Sequence, residues 1–302
     1  MAFVLIDYLV IIDYNINMNG IVIIDKPAGI TSRDVVNIVS KKFNTKKVGH
    51  TGTLDPLATG VLVIAVNKAT KIVDMLTSSD KEYVAECVFG IDTDTLDIEG
   101  NVLSSCDSII SESDITNVLN SFIGRYNQEV PVYSAVKING KKLYEYAREK
   151  IDVKLPSRDV NIYDIKLIDK PTYQDNHTKI TFAVNVSKGT YIRSLIRDIA
   201  KKLNTVGIMT NLRRISQGKF KIEDAVKLED LTIDNIIPIK DALDIKRVEL
   251  TDEIMKNVVN GAKIKNIYNY DKILFMKDNK EIAIYKKDGD YMKIDKMIGG
   301  II

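Results

Sequence analysis

Runs of apolar residues bounded by turn-forming ones divide the chain into elements. Ile21 to Ile24 is unbroken and is closed by Asp25-Lys26-Pro27, the pattern of a short buried strand entering a turn. Val61 to Val66 is continuously apolar and rich in β-branched side chains, which predicts a central strand. Lys81 to Gly90 alternates, setting Tyr83, Ala85, Cys87 and Phe89 on one face, and Ile180, Phe182, Val184 and Val186 alternate in the same way. Other segments carry the helical period. Thr31 or Ser32 can cap a helix with Val35, Val36, Val39 and Phe43 on one side. Ile115, Val118, Leu119 and Phe122 recur between a cap at Ser113 and a stop at Gly124. Leu143 to Lys150 reads as a short amphipathic helix, and Gly189 leads into another that contains Ile192, Leu195, Ile196 and Ile199. Strands and helices mix without a regular βαβ repeat, so the fold class expected is α+β with a mixed central sheet and flanking helices.

The ends read differently. Residues 1–19 are apolar but lack a basic start and a cleavage site, and Asp7 and Asp13 interrupt them, which makes a poor signal peptide and a poor membrane span. The segment is expected to be an extension outside the core, which would occupy residues 20–246. Beyond Arg247, Val248 to Ala262 suggests a short helix. Short strands and polar turns such as Lys287-Asp288-Gly289-Asp290 then follow to residue 302. About fifty-five residues is little for an independent core, so this tail should dock on the main body.

Composition adds few constraints. With 45% hydrophobic and 28% charged residues the chain is an ordinary globular protein, and its net charge of +2 does not announce a nucleic-acid binder. Basic residues do cluster, at Lys41, Lys42, Lys46 and Lys47, at Lys137, Lys141, Lys142, Arg148, Lys150 and Lys154, and at Arg213, Arg214, Lys219 and Lys221. Such clusters are RNA footprints only where folding gathers them around one site. Cys87 and Cys106 with His50 and His177 offer neither a disulfide framework nor metal-ligand spacing, and the chain reads as cytoplasmic with no metal.

The candidate chemistry lies in Gly49-His50-Thr51-Gly52-Thr53-Leu54-Asp55-Pro56-Leu57-Ala58-Thr59-Gly60. Glycines there allow close backbone approach, and Pro56 restricts where the Asp55 carboxylate can point. An isolated Asp-Pro is usually a turn, but this segment resembles the catalytic motif of the TruB family of tRNA pseudouridine synthases. Further segments carry the same likeness in the same order. They are Asp25-Lys26-Pro27-Ala28-Gly29, Lys81-Glu82-Tyr83 with the polar loop after it, Gln128 to Lys137 continuing to Arg148, Gly189-Thr190-Tyr191-Ile192-Arg193, and Leu212-Arg213-Arg214. Val130 departs from the family's usual proline pair.

The resemblance implies a pseudouridine-synthase fold, a tRNA-gripping insertion at 128–152, and a small mostly-β PUA-like RNA-binding domain at 247–302. It implies isomerisation of the T-loop uridine, conventional tRNA position 55, by base flipping, with no cofactor and no guide RNA. Asp55 would be the essential carboxylate and Arg193 its cationic partner. Tyr83 would stack on the base, and Tyr191 would orient the arginine and the base. Leu212 would line the pocket and Lys26 would support its wall. His50 would hold the opened RNA loop. Lys137, Lys141, Lys142, Arg148, Arg213 and Arg214 are the phosphate-contact candidates. The partner is then tRNA, with no membrane and a monomeric enzyme. Two alternatives remain at this point: an RNA-guided dyskerin-type synthase, which shares the catalytic core, and a tRNA-binding folding chaperone.

Overall fold

The computed structural model describes residues 18–299, so residues 1–17 of the expected extension and residues 300–302 lie outside it. Within it, the runs Gly20–Lys26, Thr59–Val66, Lys81–Phe89, His177–Val186 and Gly207–Gln217 are all strands of one sheet. The order across that sheet is Ile237–Pro238, Gly20–Lys26, Thr59–Val66, Gly207–Gln217, Lys81–Phe89, His177–Val186, Ser157–Leu167, Gly124–Glu129. Pairing is antiparallel along this path except where Gly207–Gln217 lies parallel to Thr59–Val66, so the sheet is mixed as the pattern predicts. The parallel register sets Arg213 against Thr59 and Arg214 against Gly60. This contact requires a glycine. Gly60 has φ +98°, and a Cβ there would come within 2.2 Å of the Arg214 carbonyl oxygen.

One face of the sheet is covered by the helices Ser32–Lys42, Glu112–Asn120 and Ile192–Lys202, which enclose the main core together with Tyr83, Ala85, Cys87, Phe89 and Leu212. Thr31 is the cap of Ser32–Lys42, in a reciprocal box with Asp34. The cap of Glu112–Asn120 is Ser111 and not Ser113, because Ser111 Oγ both accepts from the Asp114 amide and donates to its carboxylate. Met18, the first described residue, is 6% exposed and part of the main core. An excursion from the sheet, overlapping the insertion expected at 128–152, runs from Val130 to Pro156, and Gln128 and Glu129 before it are paired with Arg158 and Ser157.

The tail forms a second sheet of five strands, ordered Lys246–Glu249, Lys272–Lys277, Lys280–Asp288, Tyr291–Met297, Ile264–Lys265. The helix expected over Val248 to Ala262 is confined to Asp252–Val259. Val248 is taken up in the first strand, which pairs parallel to Lys272–Lys277. One side of this small sheet has its own core, with Phe275 between Tyr268 and Tyr285 in edge contacts. On the other, Leu274, Met276, Ile284 and Ile298 join Ile21, Ile23, Val61 and Val63 from the back of the large sheet in one cluster. The tail is therefore docked by burial of apolar surface on the face opposite the helices.

Candidate active site

The Gly49 to Gly60 segment holds Asp55 in a loop that enters from the strand Val48–His50 and leaves into Thr59–Val66. Its middle is fastened from the turn after the first strand. The Ser32 hydroxyl accepts from the Leu54 amide at 2.8 Å, and the Gly29 amide donates to the Pro56 carbonyl at 2.9 Å. Lys26 is fully buried, and its ammonium donates to the carbonyls of Pro27, Ile30 and Pro56 at 2.8, 2.7 and 3.1 Å. Burial lowers the Lys26 amine to about 8 against the pull of Asp55. Lys26 thus supports the wall of the loop and has no free donor face toward a substrate.

Asp55 meets Arg193 side-on: Nη2 donates to Oδ1 and Nε faces Oδ2, both at 3.0 Å. The same guanidinium donates through Nη1 to the Thr95 carbonyl at 2.8 Å and through Nη2 to the Tyr133 carbonyl at 3.0 Å, and Asp97 Oδ2 lies 3.5 Å from Nη1. Asp97 is itself held by Thr95 Oγ1 at 2.6 Å and the Glu99 amide at 3.1 Å. The fork geometry of arginine makes this possible, since a lysine could not serve two carboxylates and two carbonyls at once. Burial pushes the Asp55 carboxyl above its ordinary value and neighbouring Asp97 adds to the rise, while Arg193 and Lys26 oppose it. With 31% of its side chain exposed against 7% for Arg193, Asp55 is the member of the pair that a ligand can reach.

Sequence reading named Asp55 and Arg193 but not Asp97, Thr95 or Tyr133 as partners. Two of those three act through main-chain carbonyls, which carry no residue signature. The Thr95 and Asp97 side chains in the polar loop were the available signal.

Tyr83 and Leu212 lie on the same face of adjacent strands, in register with Arg214 and Ala85 respectively, at 6% and 5% exposure. Tyr191 precedes the helix that carries Arg193. Gln128 grips its backbone at both amide and carbonyl, and its ring lies under the Arg158 guanidinium at 5.4 Å. Among the described residues its hydroxyl makes no hydrogen bond to Arg193. His50 is half-buried, with Nδ1 unpartnered among the described residues, and burial together with Arg33 and Arg214 lowers its basicity.

The basic candidates do not share one environment. In the Val130 to Pro156 excursion, Lys142 and Arg148 each lie over the Tyr144 ring, at 5.2 and 5.4 Å, Lys141 pairs with Glu149 and lies over Tyr146, and Lys137 is exposed. Arg213 is half-exposed and bound bidentately by Asp25 at 3.0 and 2.8 Å. Arg214 is 1% exposed and donates to the carbonyls of Val61 and Gly52, so the expectation that it meets an RNA phosphate is corrected: it lies inside the sheet.

Comparison with known proteins agrees with this arrangement. The profile of the TruB family pseudouridylate synthase N-terminal domain matches residues 40–192, and that of the tRNA pseudouridylate synthase B C-terminal domain matches residues 193–246. A relative named tRNA pseudouridine synthase B from Caldicellulosiruptor saccharolyticus is 42% identical over 91% of this chain and 97% of its own length. One of the same name from Clostridium tetani is 44% identical over 90% and 93%. Among solved structures, a Cbf5–Nop10–Gar1 complex contains a chain of similar fold, with TM-score 0.70, 27% identity, and coverage of 95% of this chain and 87% of that one. With half of its length matched by the N-terminal profile and more than 40% identity to these relatives, the chain belongs to the TruB family of pseudouridylate synthases.

Proposed function

We propose that this protein isomerises uridine to pseudouridine in the T loop of tRNA, at conventional tRNA position 55, without a guide RNA. The observation that carries the reading is the Asp55–Arg193 pair, a reachable carboxylate held bidentately by a buried guanidinium in a member of a pseudouridine synthase family. The full-length relatives named tRNA pseudouridine synthase B supply the substrate class.

The reaction breaks the bond from ribose C1′ to uracil N1, turns the base, joins C1′ to C5, and transfers the C5 proton away as N1 gains one. Atoms are conserved and no electrons enter or leave. An ionised carboxylate serves such a reaction by covalent or electrostatic stabilisation of the electron-deficient intermediate, and Arg193 favours the anion of Asp55 against the rise that burial causes. Tyr83 supplies an aromatic face to the extruded base, with Leu212 beside it. Extrusion costs roughly a few kcal/mol, offset by phosphate contacts. The exposed Lys137 and Arg148, with the Tyr144 ring that Lys142 and Arg148 approach, form the surface assigned to that grip. The five-stranded tail is assigned to RNA binding beside it. The protein is expected to act as a monomer in the cytoplasm. Among the described residues no helix is long and apolar enough to cross a membrane, which says nothing of β-barrels.

The test is tritium release from a T-arm hairpin labelled at uracil C5, with wild type and Asp55→Asn and no guide RNA, metal or cofactor added. Release by the wild type alone supports the reading. Tight hairpin binding without release by either protein would transfer it to a guided enzyme or a binding protein. Restored tRNA folding by Asp55→Asn would show a chaperone role separate from catalysis.

A further inference from the structure

We propose that Arg214, assisted by Gln217, is a positioning residue for Asp55: it fastens the two ends of the catalytic loop to the central sheet and makes no contact with RNA. The inference rests on the reading of Asp55 given above. One guanidinium bridges Gly52, early in the loop, and Val61, in the strand Thr59–Val66 that the loop leads into. Arg214 Nε donates to the Val61 carbonyl at 2.6 Å and Nη2 donates to the Gly52 carbonyl at 3.2 Å. The Arg214 backbone itself presses against Gly60, whose missing side chain makes the approach possible. Three residues further along the same strand, Gln217 is fully buried and donates to Thr51 Oγ1 at 2.6 Å and to the Leu76 carbonyl at 3.3 Å, which fixes the residue just before Gly52.

Three independent fastenings then define where the carboxylate stands: Arg214 and Gln217 at the base, Lys26 and Ser32 in the middle, Arg193 on the carboxylate itself. Among the described residues Arg214 forms no ion pair, so its charge is satisfied only by carbonyl oxygens of the strands and loop it joins. A cation at 1% exposure in such a cage cannot reach a phosphate without the loop being dismantled. A charge-assisted bond to a main-chain carbonyl is among the stronger tethers available for holding a loop. Small displacements of a reacting group are costly, about a hundredfold in rate for 1 Å.

The experiment compares wild type with Arg214→Gln, Arg214→Lys and Gln217→Met, using the full chain and the C5-labelled hairpin. The single-turnover rate, the hairpin Kd at several salt concentrations, and the active fraction from binding stoichiometry are read for each. The expected result is a rate lowered at least about tenfold in Arg214→Gln, with a smaller loss in Arg214→Lys, whose amine can serve one carbonyl but not both. Gln217→Met should lose rate severalfold. In all three, Kd should stay within about twofold of wild type and the slope of log Kd against log salt should not change. A loss of Kd with the slope reduced by about one and the rate preserved would make Arg214 a phosphate contact and overturn the proposal. Wild-type rates in folded variants would overturn it equally. If neither Arg214 variant folds, Gln217→Met decides, an unchanged rate refuting the clamp. An inactive wild type is a different failure: it removes the proposed function, and the clamp's role in catalysis with it.

Discussion

Removing Arg193 while keeping Asp55 should damage this protein more than removing both. In the native arrangement the guanidinium, 7% exposed, satisfies two carboxylates and two carbonyls. Arg193→Met leaves the Asp55 carboxylate half-buried without its cation, the circumstance in which breaking a buried pair costs about 3–5 kcal/mol. Because 31% of the Asp55 side chain remains in contact with water, the lower end of that range is expected. At roughly 2 °C per kcal/mol for a chain of this size, the melting temperature should fall by about 6–8 °C at pH 7. Asp55→Asn alone keeps an acceptor for Arg193 and should change stability by less than about 1 kcal/mol. In the Arg193→Met background it removes the stranded charge and should restore about 2 kcal/mol, within the usual range for contacting residues. Acid offers an internal control. Loss of Arg193 raises the Asp55 pKa further above its unfolded value, so its contribution to stability is present at low pH and is lost as pH rises through the folded value. Arg193→Met should therefore gain stability relative to wild type between pH 8 and pH 5, and the double variant should not. Thermal melts of the four proteins at both pH values measure this. Additive melting shifts, or a double variant less stable than Arg193→Met, would refute the account of the pair.

Activity should lose its acidic limb at a pH above the ordinary carboxylate range, because burial holds the Asp55 pKa up and the reacting form is the anion; a single-turnover pH profile measures it, and a limb at or below the free-aspartate value contradicts the assignment. Gly60→Ala should cost several kcal/mol and most of the activity, since φ +98° and a Cβ 2.2 Å from the Arg214 carbonyl leave no relaxed solution; calorimetry and tritium release check both. Affinity for the hairpin should fall steeply between about 50 and 200 mM salt, and charge removal at Lys137 and Arg148 together should flatten that dependence by about two in slope, as equilibrium binding would show.

The large sheet was legible because its strands are the chain's plainest apolar runs: Val61 to Val66 and Ile21 to Ile24 are buried on both sides, by the helices in front and the tail behind. The tail's first strand was not. Val248 lies in a short edge segment whose pattern fits a helix as well as a strand, and only its parallel pairing with Lys272–Lys277 decides. Ser111 and Ser113 stand two residues apart at the start of the same helix, and the choice of cap between them depends on which hydroxyl meets the Asp114 amide. In the site, motif order located Asp55 and Arg193 without showing how they are held. Arg213 and Arg214 illustrate the limit best. Neighbours in a strand point to opposite faces, so one is half-exposed beside Asp25 and the other is sealed inside the core, although the two letters are identical.

Asp55 stands in a region where buried charge is unbalanced. Among the described residues the buried ionised side chains are Lys26, Lys81, Arg193 and Arg214 against Asp97. Lys26 and Arg214 find carbonyls and not carboxylates, and Lys81 likewise donates to the carbonyls of Thr77 and Ser79 at 3.3 and 2.6 Å. Carbonyl oxygens satisfy the donors but cannot cancel the charge. Burial lowers Lys26 and Lys81, both to about 8, and lowers His50, and the Arg214 charge adds to the fall in each case. A positive interior beside the loop favours the ionised form of Asp55, which its burial opposes, and it adds attraction for a polyanion at the mouth of the site. A net charge of +2 over the whole chain does not display this excess, because among the described residues Asp97 is the one acidic side chain that is buried. The electrostatic feature most relevant to a nucleic-acid substrate is thus a property of which cations the fold buries, and summing charges along the sequence cannot display it.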